Sequence, residues 1–138
     1  MMRKVFSGFI EKDYDGHIRL TDDYNCLAER IADMAKLPSY NQDDSEDSNF
    51  YYMGGISGRI ENCNFSFYTS NKECRLEEAQ IGFLNKLYGN VDVYGENYGY
   101  SEYTICGMSL INFTIGNHDL ESILESYIGK YAHIIIEF

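Results

Sequence analysis

The sequence predicts an α+β domain, a mostly antiparallel sheet of about six to seven strands with three helices. Three observations carry that expectation. Short runs that alternate in polarity or are wholly apolar recur along the chain, separated by turn residues such as Asp15-Gly16. Other stretches space their apolar residues three and four apart, as one face of a helix requires. No linker, internal repeat or low-complexity tract divides the 138 residues, so 1–138 reads as a single domain with one core.

Residues 4–10, KVFSGFI, read as a strand with apolar groups on both faces. A turn at Asp15-Gly16 and a short strand through Ile18 and Leu20 complete a hairpin. Thr21 is a suitable N-cap, and Asp22 and Asp23 suit the positive end of a helix dipole. Tyr24, Leu27, Ile31 and Met34 follow at helical spacing, which gives a first helix over about 22–36, stopped before Pro38. Residues 38–49, PSYNQDDSEDSN, lack Leu, Ile, Val, Met and Ala and read as a mobile acidic loop.

Two strands follow, over about 50–60 and 63–69, with Glu61-Asn62 as the turn between them. Cys63, Phe65, Phe67 and Thr69 share one face of the second. The glycines Gly54, Gly55 and Gly58 mark a bulge or a strong twist. A second helix is expected over about 75–88, with Leu76, Ala79, Phe83 and Leu87 on one stripe. Glu77 and Glu78 occupy its first turn, and Gly89-Asn90 gives a left-handed stop. A tyrosine-rich sheet region leads to a half-buried strand through Ile111, Phe113 and Ile115. Asn117 caps a third helix over about 118–128, with Leu120, Ile123, Leu124 and Tyr127 inward and Gly129 at its end. The closing run from Ile134 to Ile136 is apolar on both faces, which places the last strand centrally in the sheet.

Charge narrows function. Lys plus Arg is 11 against 22 Asp plus Glu, a formal net charge of −11. Nucleic-acid affinity depends on neutralising phosphates with Lys and Arg, so direct nucleic-acid binding is disfavoured and a basic partner is favoured. From Glu11 to Asp47 there are 11 acids against Lys12, Arg19, Arg30 and Lys36. After Leu87 the only basic residue is Lys130. No apolar run approaches the ~20 residues of a membrane-spanning helix. The start, MMRKVFSGFIEKDYD, is followed at once by acids, unlike a signal peptide. Cys26, Cys63, Cys74 and Cys106 form no C-x-x-C pair. These features imply a cytoplasmic protein with reduced thiols.

Gly116-Asn117-His118-Asp119 resembles the GNHD motif of calcineurin-like metallophosphoesterases, and Asp15-Gly16-His17 resembles that family's opening D-x-H. The resemblance implies two metals clamping a phosphate. The chain lacks the family's G-D-x-x-D and its late G-x-H pair, and a plain strand-to-helix turn accounts for the same four residues. Gly54-Gly55-Ile56-Ser57-Gly58 has no following Lys-Ser or Lys-Thr, so it is not a phosphate loop. No G-x-S-x-G occurs, and the acidic loop lacks calcium-loop spacing. The sequence therefore points to no catalytic residue, metal ligand or cofactor.

Two segments stand out as contact surfaces. The first is the acidic loop, with Asp43, Asp44, Glu46 and Asp47 as a lure for basic side chains. The second holds Tyr94, Glu96, Tyr98, Tyr100 and Glu102 among Asn, Gly and Ser, a mixture that gives adaptable contact area. In size, charge and Tyr/Asn-rich composition the chain resembles small acidic inhibitors of phages and mobile elements, such as anti-CRISPR proteins, and nuclease-immunity proteins. That resemblance implies a non-enzymatic protein that inhibits a basic nucleic-acid-processing partner, its carboxylates standing in for phosphates. Two alternatives are a small-ligand or nucleotide-binding protein and a metal-dependent phosphoesterase. The strand over 94–103 also offers an edge on which a second copy could pair.

Overall fold

A computed structural model describes residues 2–21, 23, 25–37, 39–40, 51–79, 83–99 and 107–138. The first hairpin forms as the sequence implies. Strand β1 (Arg3–Lys12) pairs antiparallel with β2 (Ile18–Leu20), with Ile10 opposite Leu20. Asp13 Oδ1 accepts the backbone N–H groups of Asp15 and His17, each at 2.9 Å, and so fixes the turn. Gly16 sits there at φ 84, a conformation that side-chain-bearing residues rarely adopt.

Helix α1 (Leu27–Met34) begins later than expected, at an N-cap on Cys26. The Thr21 hydroxyl does not cap it; it donates to the Phe9 carbonyl at 3.0 Å, which ties that residue to β1. At the other end Lys36 adopts φ 56. Lys36 N–H donates to Asp33 O and Leu37 N–H to Ala32 O, the paired bonds of a Schellman stop. The helix thus ends on its own backbone, ahead of Pro38.

Strand β3 (Ser39–Tyr40) occupies the start of the expected acidic loop and pairs with Ile56 and Gly55. Residues 41–50 lie outside the described residues. The two strands expected over 50–69 are one, β4 (Tyr51–Ser70). At Glu61-Asn62 the chain bulges and does not reverse. Its pairing with β5 (Phe83–Gly99) resumes on either side, Ile60 opposite Val91 and Cys63 opposite Gly89. Asn62 takes φ 55 within that bulge, and its N–H donates to Asn90 Oδ1 at 3.1 Å. A second irregularity falls between Tyr52 and Gly55, at the glycine run. A Cβ on Gly55 would lie 1.9 Å from Gly95 O, so only glycine lets the two backbones approach there.

The second helix shrinks to α2 (Leu76–Ala79), and the rest of its expected span belongs to β5. Phe83 faces Thr69 and Leu87 faces Phe65, so a long ladder with β4 outweighs the local helical spacing. Gly89-Asn90 lies inside that strand and stops no helix. Strand β6 (Gly107–Ile115) leads through the Gly116-Asn117 turn, with Gly116 at φ 56, into β7 (His118–Asp119). Helix α3 (Leu120–Glu125) is capped by Asp119, which accepts Ser122 N–H at 3.2 Å, and not by Asn117. Strand β8 (Tyr131–Glu137) closes the chain.

Among the described residues the sheet has eight strands in the order β2-β1-β8-β4-β5-β6-β7, with β3 paired to β4 off that path. Every pairing is antiparallel. Strands dominate the described residues, and the three helices among them are minor additions. As expected, β8 is central, between β1 and β4, with Ala132 to Ile136 buried. The sheet curls into a half-barrel; α1 packs on β2 and β4, and α3 bridges β2 to β6 and β7. Phe65, Phe67, Ile10, Leu27, Leu120 and Ile134 meet in its core.

The buried His133 is satisfied within this frame. Its Nε2 lies 2.7 Å from Cys74 O, which can only accept, so Nε2 carries the hydrogen. Its Nδ1 then accepts the Ser7 hydroxyl at 2.7 Å. Among the described residues no helix is long and apolar enough to cross a membrane.

Candidate functional site

The two ends of the curled sheet meet where the β1–β2 turn reaches β6. Met108 and Leu110 of β6 face that turn with their backbone polar groups, and the partners they find there are side chains. Asp15 Oδ2 accepts Met108 N–H at 3.1 Å. His17 Nε2 lies 3.0 Å from Met108 O and 3.3 Å from Leu110 N. Asp15 and His17 thus stand in for a neighbouring strand along an edge that, among the described residues, has no strand partner at Met108 and Leu110. Tyr98 of β5 donates its hydroxyl to Asp15 Oδ1 at 2.5 Å. A Cβ on Gly107 would lie 2.5 Å from both Asp15 Oδ2 and the Tyr98 hydroxyl oxygen, so glycine lets the clasp close. From α3, Glu121 accepts Ile18 N–H at 2.8 Å and lies 3.3 Å from His17 Nδ1.

Beside the clasp opens a cleft of about 490 Å³, within the range of ligand pockets. Its walls carry four carboxylates: Asp13 and Asp15 from the turn, Glu29 and Asp33 from one face of α1. Arg19 also lines it, but its guanidinium is held by Glu11 at 2.8 Å. The field in the cleft is therefore negative. Burial raises the Glu29 carboxyl above the usual value, and repulsion from Asp33 and Asp13 adds to the shift. The Glu121 hydrogen bond raises His17 above the ordinary histidine value, with burial opposing it. Burial pushes the Cys26 thiol, also in the wall, up to about 12, so at neutral pH it is no nucleophile. At the rim, Tyr14 is 99% exposed. Such walls hold ammonium or guanidinium groups and repel phosphate.

A second opening of about 550 Å³, between β1 and α1, carries mixed charge. There Arg30 stacks over Phe6 at 4.7 Å and pairs with Asp23 at 2.5 Å.

The residues singled out from the sequence fall differently. Tyr94 donates to Glu96 at 2.7 Å, both half-buried on β5, and Tyr98 belongs to the clasp. Asp43, Asp44, Glu46, Asp47, Tyr100 and Glu102 lie outside the described residues. Over Tyr94 to Tyr98 the expected free edge does not exist, because β5 has β4 on one side and β6 on the other. Asp15 and His17 drew notice as a D-x-H resemblance, yet their side chains bind the backbone of β6. His118 is exposed, and Asp119 serves as a helix cap. Among the described residues no group of three or more His, Cys, Asp or Glu is placed to hold a metal ion.

Asp13, Glu29, Asp33 and Glu121 were not picked out in sequence. Glu29 and Asp33, one helical turn apart, were the available signal. Comparison with family models, curated proteins and solved structures finds no match.

Proposed function

We propose that this chain is a cytoplasmic, non-enzymatic binding protein that inhibits a basic nucleic-acid-processing partner. The observation behind this reading is the cleft, where Asp13, Asp15, Glu29 and Asp33 converge and Arg19 is already engaged. Carboxylates held by a hydrogen-bonded turn and a helix present negative charge at fixed spacing, as a phosphate backbone does. A partner surface evolved for phosphates offers Lys and Arg to match. The net charge of −11 steers such a partner in, and Tyr14 at the rim adds apolar contact. The cleft's size also suits a small cationic ligand; a nucleotide would meet a repulsive field there.

Affinity capture with elution in rising salt, followed by an activity assay on the captured protein, tests the reading. The expected result is a stoichiometric basic nucleic-acid-processing protein whose activity falls when this chain is added. Asp13→Asn with Asp33→Asn should slow association about tenfold at low salt. Neutralising Asp43, Asp44, Glu46 and Asp47 measures what the loop adds. An association rate unchanged by both sets would sink the electrostatic account.

A further inference from the structure

We infer that His17 is a proton-operated latch on the seam between the β1–β2 turn and β6, exchanging one backbone partner for another as it titrates. The ring's Nε2 faces two backbone groups with opposite demands, Met108 O at 3.0 Å and Leu110 N at 3.3 Å. A bare nitrogen accepts from Leu110 and offers Met108 nothing; an N–H does the reverse. The other nitrogen, Nδ1, faces Glu121 Oε1, which only accepts when ionised. The neutral ring that suits Glu121 therefore carries its hydrogen on Nδ1, and its Nε2 takes the Leu110 N–H. The opposite neutral tautomer would set a lone pair against the carboxylate. Protonation places an N–H on both nitrogens. Met108 O then gains a donor and Leu110 N–H loses its acceptor.

The charged groups around His17 are mainly acidic: Glu121 from α3, Asp13 and Asp15 from its own turn, and Glu29 from α1; the cation in the cleft wall, Arg19 of β2, is paired with Glu11. Between Met108 and Leu110, β6 presents no titratable side chain. This setting favours the charged ring, so the exchange falls above the ordinary value of 6.5. His17 and Met108 both line the cleft, so protonation adds a positive charge to its wall. A cationic partner is then held more tightly by the neutral ring, and by linkage its binding lowers the ring's proton affinity. That consequence rests on the proposed binding role of the cleft; the latch does not.

The test is a heteronuclear NMR titration of the full chain from about pH 5 to about pH 9, following the His17 ring, the Leu110 amide and the Met108 carbonyl. All three should step at one midpoint, with Leu110 exchanging faster, relative to its intrinsic rate, in the protonated state. Glu121→Gln should move the midpoint down. Should that variant lose its fold, Glu29→Gln should move it down by less. His17→Gln should abolish the step. Flat Leu110 and Met108 signals, or a midpoint indifferent to both acidic substitutions, would overturn the latch.

Nona-arginine binding reads the cleft separately. In the wild type it should weaken about threefold on protonation, beyond the change in His17→Gln. Equal pH dependence in the two proteins overturns the coupling. No nona-arginine binding at any pH overturns the binding role and leaves the latch to the NMR result.

Discussion

Two histidines lie where the sheet is held together in two different ways. Around His133 the strands β1, β8 and β4 pair backbone to backbone over long registers. The ring fits one tautomer, with Ser7 donating to one nitrogen and Cys74 O accepting from the other. Around His17 the junction is made by side chains, and one nitrogen serves two backbone groups that want opposite things. A ladder spreads its stability over many bonds and much buried surface. A clasp concentrates it in a few atoms that also feel charge and pH. The central strands should therefore fail only with the whole fold, whereas the seam can open by itself.

The largest expected effect is in the centre. Ile134 is fully buried, and Ile134→Ala should cost about 2–5 kcal/mol in denaturant unfolding, through lost transfer energy and a cavity. A cost below about 1 kcal/mol would mean that β8 is not the tightly packed strand described. Next comes Gly107→Ala, whose methyl group would collide with Asp15 and Tyr98. Its expected cost is about 1–3 kcal/mol, and amide exchange should rise at Leu110 and Ile18 but not at Ile134 or Ile136. Equal loss of protection in both regions would dissolve the distinction between ladder and clasp. Asp15→Asn is smaller again. The carboxylate accepts from both the Tyr98 hydroxyl and Met108 N–H, and an amide offers only one oxygen. About 1–2 kcal/mol should be lost, and less than additively when combined with Tyr98→Phe.

How much of this was legible in the sequence follows the same division. The first hairpin and the central placement of β8 were readable, because turn chemistry and a doubly apolar strand are local signals. The helix expected over 75–88 was not a strand to local inspection. Leu76, Ala79, Phe83 and Leu87 fit a helical stripe, and only the ladder with Phe65, Phe67 and Thr69 decides otherwise. Glu61-Asn62 looked like a turn because a bulge and a reversal use the same residue types. The clasp was out of reach for a different reason. Asp15 and Met108 are 93 positions apart, as are His17 and Leu110, and one partner in each pair is a backbone group that no residue type betrays. Acidic composition suggested a basic partner, but which carboxylates converge depended on α1 facing the turn.

The smallest expected effect separates charge from geometry in the cleft. Glu29 has a folded-state pKa above its ordinary 4.5, so ionising it costs stability. That penalty is absent below the ordinary value and complete once pH exceeds the raised one. Glu29→Gln should therefore stabilise the protein at neutral pH, by less than about 1 kcal/mol given the partial exposure, and the gain should vanish in acid. His17 contributes in the same direction by the opposite route. Its folded pKa lies above 6.5, so its contribution is fully present below that value and lost as pH rises through the raised one. Both groups make the folded protein more stable in mild acid than in base. Paired melts of wild type and Glu29→Gln across that range should converge at low pH. A gap of constant size would assign the effect to packing of the Glu29 side chain and not to the charge it shares with Asp33 and Asp13.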